Sequence, residues 1–426
     1  MASDGLASYA PACDDMKIPQ KLSCGLLTLA ALLSDGCSSQ LPKTTTASAV
    51  PIKLATSRMR SQPERDTADP AVPAKEGSVL EFNASENIAF RILKSDAQVN
   101  PVTDQMFQTL KEVVDDACAS IGKLNRKENG RWDRRCAEAT LRCIDAALIN
   151  HGFLYPDAGG VDQLADGLTP FQMSAARRPA FETQSHNRRR VRMISERFPG
   201  PFYAVDCDIA SFIYLGVADQ LRLPLNLVVI PSYNRRPGHT FVRWREGSHY
   251  LDWETMDGLA LTDEFYVREW NLNFDEIKAK SALASLSTDQ VMGCEHYLMA
   301  IQYERRKDYE QALRELSVAL ELYPQNLDSR REFAWVTATG VGVHVRNNSD
   351  AIADAKFVLN LVNDPDTRDT LAAAYASAGM FDLAVREERA AISNSASSIE
   401  SQFGYKQRLR LYQRSVVYRQ PSNEHE

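Results

Sequence analysis

The chain has 426 residues, 44% of them hydrophobic and 25% charged, with a formal net charge of −7. It is too long for one ordinary core and predicts two or three domains, at roughly 100 to 200 residues each. A globular composition with an acidic balance argues against nucleic acid as a partner. The one dense basic run, "HNRRRVR" from His186 to Arg192, reads as a solvated helical face.

The chain carries 8 cysteines, at positions 13, 24, 37, 118, 136, 143, 207 and 294. They form no CxxC pair and no His/Cys spacing suited to zinc, so neither a metal nor a cofactor is expected. From Met16 to Gln40 the chain reads "MKIPQKLSCGLLTLAALLSDGCSSQ". A lysine-bearing start, an apolar run from Leu22 to Leu33, small residues and a cysteine are the layout of a secretory signal. The apolar run is too short to span a bilayer.

The end of that segment, "LLSDGC", resembles the lipobox of bacterial lipoproteins. The resemblance implies that Cys37 is acylated and becomes the mature N-terminus, although Asp35 departs from the small or apolar residues usual there. Residues 1–37 are therefore expected to be a signal segment starting at Met16. The expected location is outside the cytoplasm, in the periplasm, with a membrane contact only through a lipid on Cys37. Residues 38–85, rich in Thr, Ser, Ala and Pro, read as a flexible linker. Beyond Cys37 five cysteines remain, an odd number, and Cys207 is the candidate free thiol.

Residues 86–285 are expected to form one domain. Its first half is helical, since "DQMFQTLKEVVDDACASIGKL" and "RRCAEATLRCIDAALINHGFLY" place apolar residues at i, i+3, i+4 and i+7. Cys136 and Cys143, two turns apart on one face, are expected in the core. Then "DCDIASFIYLGVADQLRL" sets Ile209, Phe212, Ile213, Val217 and Leu221 on one stripe, with Asp206 or Asp208 as its cap. Cys207 thus opens a helix, where free amides and the macrodipole favour a thiolate and predict a lowered thiol pKa.

Next comes a buried-strand run, "LPLNLVVIPS", and then "HTFVRWRE", a turn at "GS", and "HYLDWET", whose alternation predicts a β-hairpin. An even-length turn puts His239, Asp252 and Glu254 on the same face of that hairpin. Which acid stands beside the imidazole depends on register, so Asp252 is the first candidate and Glu254 the reserve. Taken singly, Cys207 reads as a small core residue, His239 as a strand-end histidine bonded to backbone, and Asp252 as an acid near a turn.

Residues 290–415 are expected to form an all-α array. In "GCEHYLMAIQYERRKDYEQALRELSVALELYPQN", residues Ala300, Tyr303, Tyr309, Ala312, Leu316, Ala319 and Pro324 fall on signature positions of a tetratricopeptide repeat or on common substitutes. His296 stands where tryptophan is usual. Residues 365–398 repeat the frame with Leu371, Ala372, Tyr375, Gly379, Phe381, Ala384 and Ala391. A longer, degenerate repeat lies between, and "GYKQRLRLYQRS" reads as a capping helix. Such an array either presents a groove to a protein partner or props up the domain before it.

A cysteine opening a helix, a histidine starting a strand and an aspartate on the next strand resemble the transglutaminase-like, papain-like cysteine superfamily. More closely, "CDIASFIYLGVADQLRLPLNLVVIPSYNRRPGHTFVRW" with "LDWETMDG" is similar to bacterial proteins that join such a domain to tetratricopeptide repeats. The resemblance implies an α+β papain/transglutaminase-like domain, of helices plus a small antiparallel sheet, followed by the repeats. It implies Cys207 as nucleophile, His239 as base and Asp252 as the residue that orients the imidazole. The implied activity is hydrolysis or acyl transfer at an amide bond of a peptide or protein substrate, through a thioester. The Cys207 backbone amide and Tyr203 are the candidate oxyanion donors. The alternative is a non-catalytic adaptor that binds peptide or protein with the same groove and the repeats.

Overall fold

The computed structural model describes residues 87–124, 133–155, 163–172, 200–233, 237–344, 347–394 and 399–422. These residues belong to one unit, Lys75–Glu426. The signal-like segment, the linker before residue 87 and the basic run at 186–192 lie outside the described residues. What is described is a mixed α and β protein with helices and two small sheets.

Helices α1 (Ile88–Asp96), α2 (Asp104–Gly122) and α3 (Arg134–Asn150) start at Asn87, Thr103 and Asp133, whose side chains accept first-turn amides. In α2 the buried side chains include Met106, Leu110, Val113, Val114, Ala117 and Ile121, which form the stripe that a 3.6-residue period dictates. Cys143 packs against this core, but Cys136 and Cys143 are only half-buried, because both lie on the flank of α3 whose centre is Ala137, Leu141, Ile144 and Leu148. Strand β1 (Phe153–Leu154) pairs in parallel with β2 (Tyr203–Ala204), and the short α4 (Leu164–Gly167) lies between them in sequence.

Helix α5 (Cys207–Leu221) is buried continuously from Ile209 to Ala218, a central helix rather than the one-striped helix its sequence predicts. Against it packs the antiparallel sheet β3–β4–β5–β6, in that order: Leu225–Ile230, His239–Glu246, His249–Glu254 and Leu259–Leu261. The β4–β5 turn is the pair Gly247 and Ser248 between partners Glu246 and His249, and Gly247 takes the positive φ (+59°) that such a turn requires.

Both sheet faces are covered. Leu225, Leu227, Val242, Trp244, Leu251 and Trp253 share a core with α5. On the other face Val228, Ile230 and Phe241 pack with Tyr266 of α6 (Asp263–Glu269). The same cluster holds Leu327, Val358 and Val362, contributed by the helices that follow.

After α7 (Phe274–Lys278) come α8 (Thr288–Arg305), α9 (Tyr309–Leu322), α10 (Leu327–Thr339), α11 (Asn348–Leu361), α12 (Pro365–Ser377), α13 (Phe381–Asn394) and α14 (Ile399–Tyr412). The first six pack as consecutive pairs, and small residues at their crossings bring the backbones close. At Gly340 an added Cβ would lie 2.8 Å from Tyr309 Cβ. Polar groups fasten these helices to the sheet domain: Asp328 accepts the Ser232 hydroxyl at 2.8 Å, and Arg331 donates to the Ser232 carbonyl at 2.7 Å.

Candidate functional site at the open end of the sheet

Asp206 caps α5, its carboxylate accepting the Ile209 amide at 3.1 Å, so Cys207 becomes the first residue of the helix. The residue is half-buried, and its thiol sits well above the usual cysteine pKa. Burial is the first cause, and Asp208, Asp206 and Glu254 add repulsion that the single amide donor, Thr240, does not offset. The lowered pKa expected from the helix N-terminus is thus corrected. Three carboxylates and poor solvation outweigh a dipole of about half a charge.

Helix α5 lies against the face of the sheet that carries Val242, Trp244 and Trp253. The Trp253 indole donates to Tyr214 of α5 at 3.1 Å, and Ser211 and Thr255 hydroxyls lie 3.4 Å apart. His239 alternates to the other face with Phe241 and Glu254. Helix α5 and strand β4 come together at the end of the sheet where β4 begins, while the imidazole lies on the far face. There the Thr240 amide, one peptide from His239, donates to the Cys207 sulfur, and Glu254 is close enough to act on the thiol's charge.

His239 Nε2 lies 2.7 Å from Glu254 Oε2, and both side chains are at most 10% exposed. Tyr266 donates to the same oxygen at 3.2 Å, and the Met256 amide donates to Oε1 at 3.2 Å. Burial and the Glu254 charge hold the Tyr266 phenol far above its ordinary pKa, so it stays a donor. The His239 ring stacks on Trp270, with centroids 4.8 Å apart and planes 21° apart, and Trp270 Nε1 reaches the Pro237 carbonyl at 3.4 Å. Orientation of the imidazole is thereby fixed from one edge and one face.

Asp252 does not orient His239. It shares the face, as the alternation requires, but its register partner is Arg243. That guanidinium binds it with both oxygens, Nε to Oδ1 at 2.5 Å and Nη2 to Oδ2 at 3.0 Å. Arg243 stands four residues along β4 from His239, about 13 Å at strand rise. Arg243 also reaches Asp263 and the Leu283 carbonyl, so Asp252 belongs to a buried ion-pair network. Burial pushes its carboxyl up to about 6 despite the arginine.

Tyr203, one of the two oxyanion candidates, is 7% exposed, stacks on Phe153 at 4.8 Å and sets its hydroxyl 3.5 Å from Thr109 on α2. It is occupied in the helical core. Thr240 is 6% exposed, and its buried hydroxyl has no hydrogen-bond partner among the described residues. Sequence reasoning did not find Thr240, Tyr266 or Trp270. Only the adjacency of Thr240 to His239 signalled anything, since "DEFYVREW" reads as an ordinary amphipathic helix. Among the described residues, no group of three His, Cys, Asp or Glu is arranged to hold a metal, and no helix is long and apolar enough to cross a membrane.

Comparison with known proteins adds nothing to this geometry: no family model, no curated protein and no solved structure matches the chain.

Proposed function

We propose that the chain is a transglutaminase-like cysteine hydrolase or acyltransferase, joined to tetratricopeptide repeats, that cleaves or exchanges an amide bond through a thioester on Cys207. The observation that carries the reading is the buried His239–Glu254 pair one peptide away from the amide that holds the Cys207 thiol. A histidine bonded to backbone, or a cysteine merely filling the core, needs no buried carboxylate gripped by three donors.

The roles follow from the hydrogen bonds. With Nε2 committed to Glu254, Nδ1 is the ring atom left to take a proton. The resting thiol is neutral, so the chemistry is general-base catalysis rather than attack by a stored thiolate. As sulfur attacks the carbonyl carbon, its proton passes to Nδ1. The tetrahedral oxyanion takes a hydrogen bond from the Cys207 amide at the helix N-terminus. Collapse breaks the C–N bond, the imidazolium returns its proton to the leaving amine, and the acyl group stays on sulfur. Water or a second amine then attacks the thioester with His239 again as base, which regenerates the thiol. Glu254 stabilises the imidazolium in both halves.

The natural acyl donor is a peptide or protein amide, and the place of action is the periplasm, with the Cys37 lipid as anchor. Fractionation of cells producing wild type and Cys37→Ala tests the location. A simple donor tests the chemistry: p-nitrophenyl acetate should add one acetyl group, labile to hydroxylamine, that peptide mass mapping assigns to Cys207. His239→Ala should slow that acylation at least about 100-fold. Acetylation spread equally over Cys118, Cys136 and Cys207, or an unchanged rate in His239→Ala, would overturn the reading.

A further inference from the structure

The chain beyond α14 returns to the array instead of leaving it. Ser415 takes a positive φ (+56°), and the Val416 amide closes the turn on the Leu411 carbonyl at 2.9 Å. Residues 416–422 then run without helix or strand along the C-terminal end of α10. Tyr418 lies against Trp335, ring centroids 5.9 Å apart, and the Arg408 guanidinium covers both rings, 5.4 Å from Trp335 and 5.3 Å from Tyr418. Arg419 donates to the Ala338 carbonyl. Gln420 pairs twice with Thr339, backbone amide to carbonyl at 2.9 Å and side-chain amide to hydroxyl at 2.9 Å. Finally Tyr309, at the start of α9, donates to the Pro421 carbonyl at 2.8 Å.

Two of these contacts read the main chain that any extended peptide carries, and the others read an aromatic, a cationic and an amide side chain in that order. The Trp335 and Arg408 shelf takes a flat ring. The last carbonyls of α10, at the negative end of its dipole and without helical partners, take a cation and a backbone amide. Thr339 selects an amide side chain, and Tyr309 takes a main-chain carbonyl. Meanwhile none of residues 413–422 is fully buried. A segment whose own residues are exposed or half-buried, held by a few part-buried hydrogen bonds that each contribute about 0.5–1.5 kcal/mol, opens more readily than the buried helices beneath it.

We infer that residues 416–422 are a displaceable latch lying in a peptide-binding groove, and that in trans the groove takes an extended peptide bearing an aromatic residue, then a cation, then an amide side chain. The inference is independent of the thiol chemistry. A tethered segment competes at an effective concentration of order millimolar, so the intact chain resists any partner that binds weakly. Binding then requires the latch to be cut, modified or outcompeted.

The test uses the full chain with a specific protease site inserted after Arg414, cut after folding and freed of its tail. A fluorescein-labelled peptide of residues 416–425 is titrated by anisotropy. The cut protein should bind it saturably, at least about tenfold more tightly than the uncut protein, and peptides with Tyr418→Ala or Arg419→Ala should bind about tenfold more weakly. In a second, uncut form, Tyr418→Ala with Arg419→Ala in the chain itself should admit the wild-type peptide. No binding to the cut protein, equal binding to cut and uncut forms, or loss of helical signal in both altered forms would overturn the latch and leave the tail a structural cap.

Discussion

Glu254 and Asp252 lie two residues apart on one face of β5, and their neighbours give them opposite work. Glu254 is the acid whose loss should be felt in catalysis. Glu254→Gln keeps the volume and one acceptor but removes the charge that stabilises an imidazolium, so Cys207 acylation should fall about 100-fold or more with little change in melting temperature. Asp252→Asn leaves Arg243 buried and short of a partner, at a cost of about 3 kcal/mol, while acylation measured well below the melting point should hold. Denaturant melts with acylation rates on both variants check this. A slower rate in Asp252→Asn alone would reverse the assignment. Alternation showed that both acids share the face of His239. Register was not legible, because it depends on Gly247 and Ser248 closing a two-residue turn and so setting Arg243 opposite Asp252. The sign of the Cys207 shift was hidden for a similar reason. Asp206 and Asp208 were visible beside it, but burial and the approach of Glu254 arise only in the folded chain.

Elements meet at buried acids as well as at apolar stripes. Asp96 closes α1 and Glu295 lies in α8, and both are fully buried. Burial raises Asp96 to about 6 and Glu295 well above the usual carboxylate range, with Asp96 and Glu315 the charges nearest Glu295 and Asp166 the one nearest Asp96. Of the two, Glu295 holds its proton the more strongly, and Asp96 accepts the Ala165 amide at 2.8 Å. In the unfolded chain Glu295 is ionised at pH 7, so folding takes up a proton. A carboxyl whose folded pKa is raised contributes stability that is complete below its unfolded value near 4.3 and fades as pH rises towards the folded value. Stability should fall as pH rises above the unfolded value, by up to about 1.4 kcal/mol per pH unit for this proton. Glu295→Gln keeps the volume without the titrating proton and should flatten that slope. Urea melts at pH 6, 7 and 8 check it, and a slope unchanged in the variant would show that the proton is held elsewhere. The helices themselves were legible from their period, α2, α3 and α9 above all. The acid pair was not, since Glu295 sits in "GCEHY" with nothing local to mark it as buried.

At the scale of the whole molecule, the helical array is part of the sheet domain's core. Val228, Ile230, Phe241 and Tyr266 share one cluster with Tyr233, Leu272 and Leu283 of the sheet domain and with Leu327 of α10, Val358 of α11 and Val362 just after it. Asn273 and Tyr323 add bonds across the same boundary, to the Leu361 carbonyl at 2.8 Å and the Lys280 carbonyl at 3.3 Å. The sequence suggested a sheet with a functional face and an array that either binds a partner or props its neighbour. It could not show that both faces of β3 and β4 are apolar because two different layers cover them, although "LNLVVI" reads as a strand buried on both sides. Two units sharing one core unfold together. Calorimetry on residues 87–426 should therefore give a single transition whose calorimetric and van't Hoff enthalpies agree. A chain ended at residue 285 should aggregate or bind a hydrophobic dye, because the uncovered face is large, flat and apolar. Two resolved transitions, or a soluble fragment 87–285 with native near-ultraviolet dichroism, would mean that the array merely rests on the sheet. In that case the geometry at His239, whose Trp270 and Tyr266 neighbours lie on the covered face, would be set without the helical array.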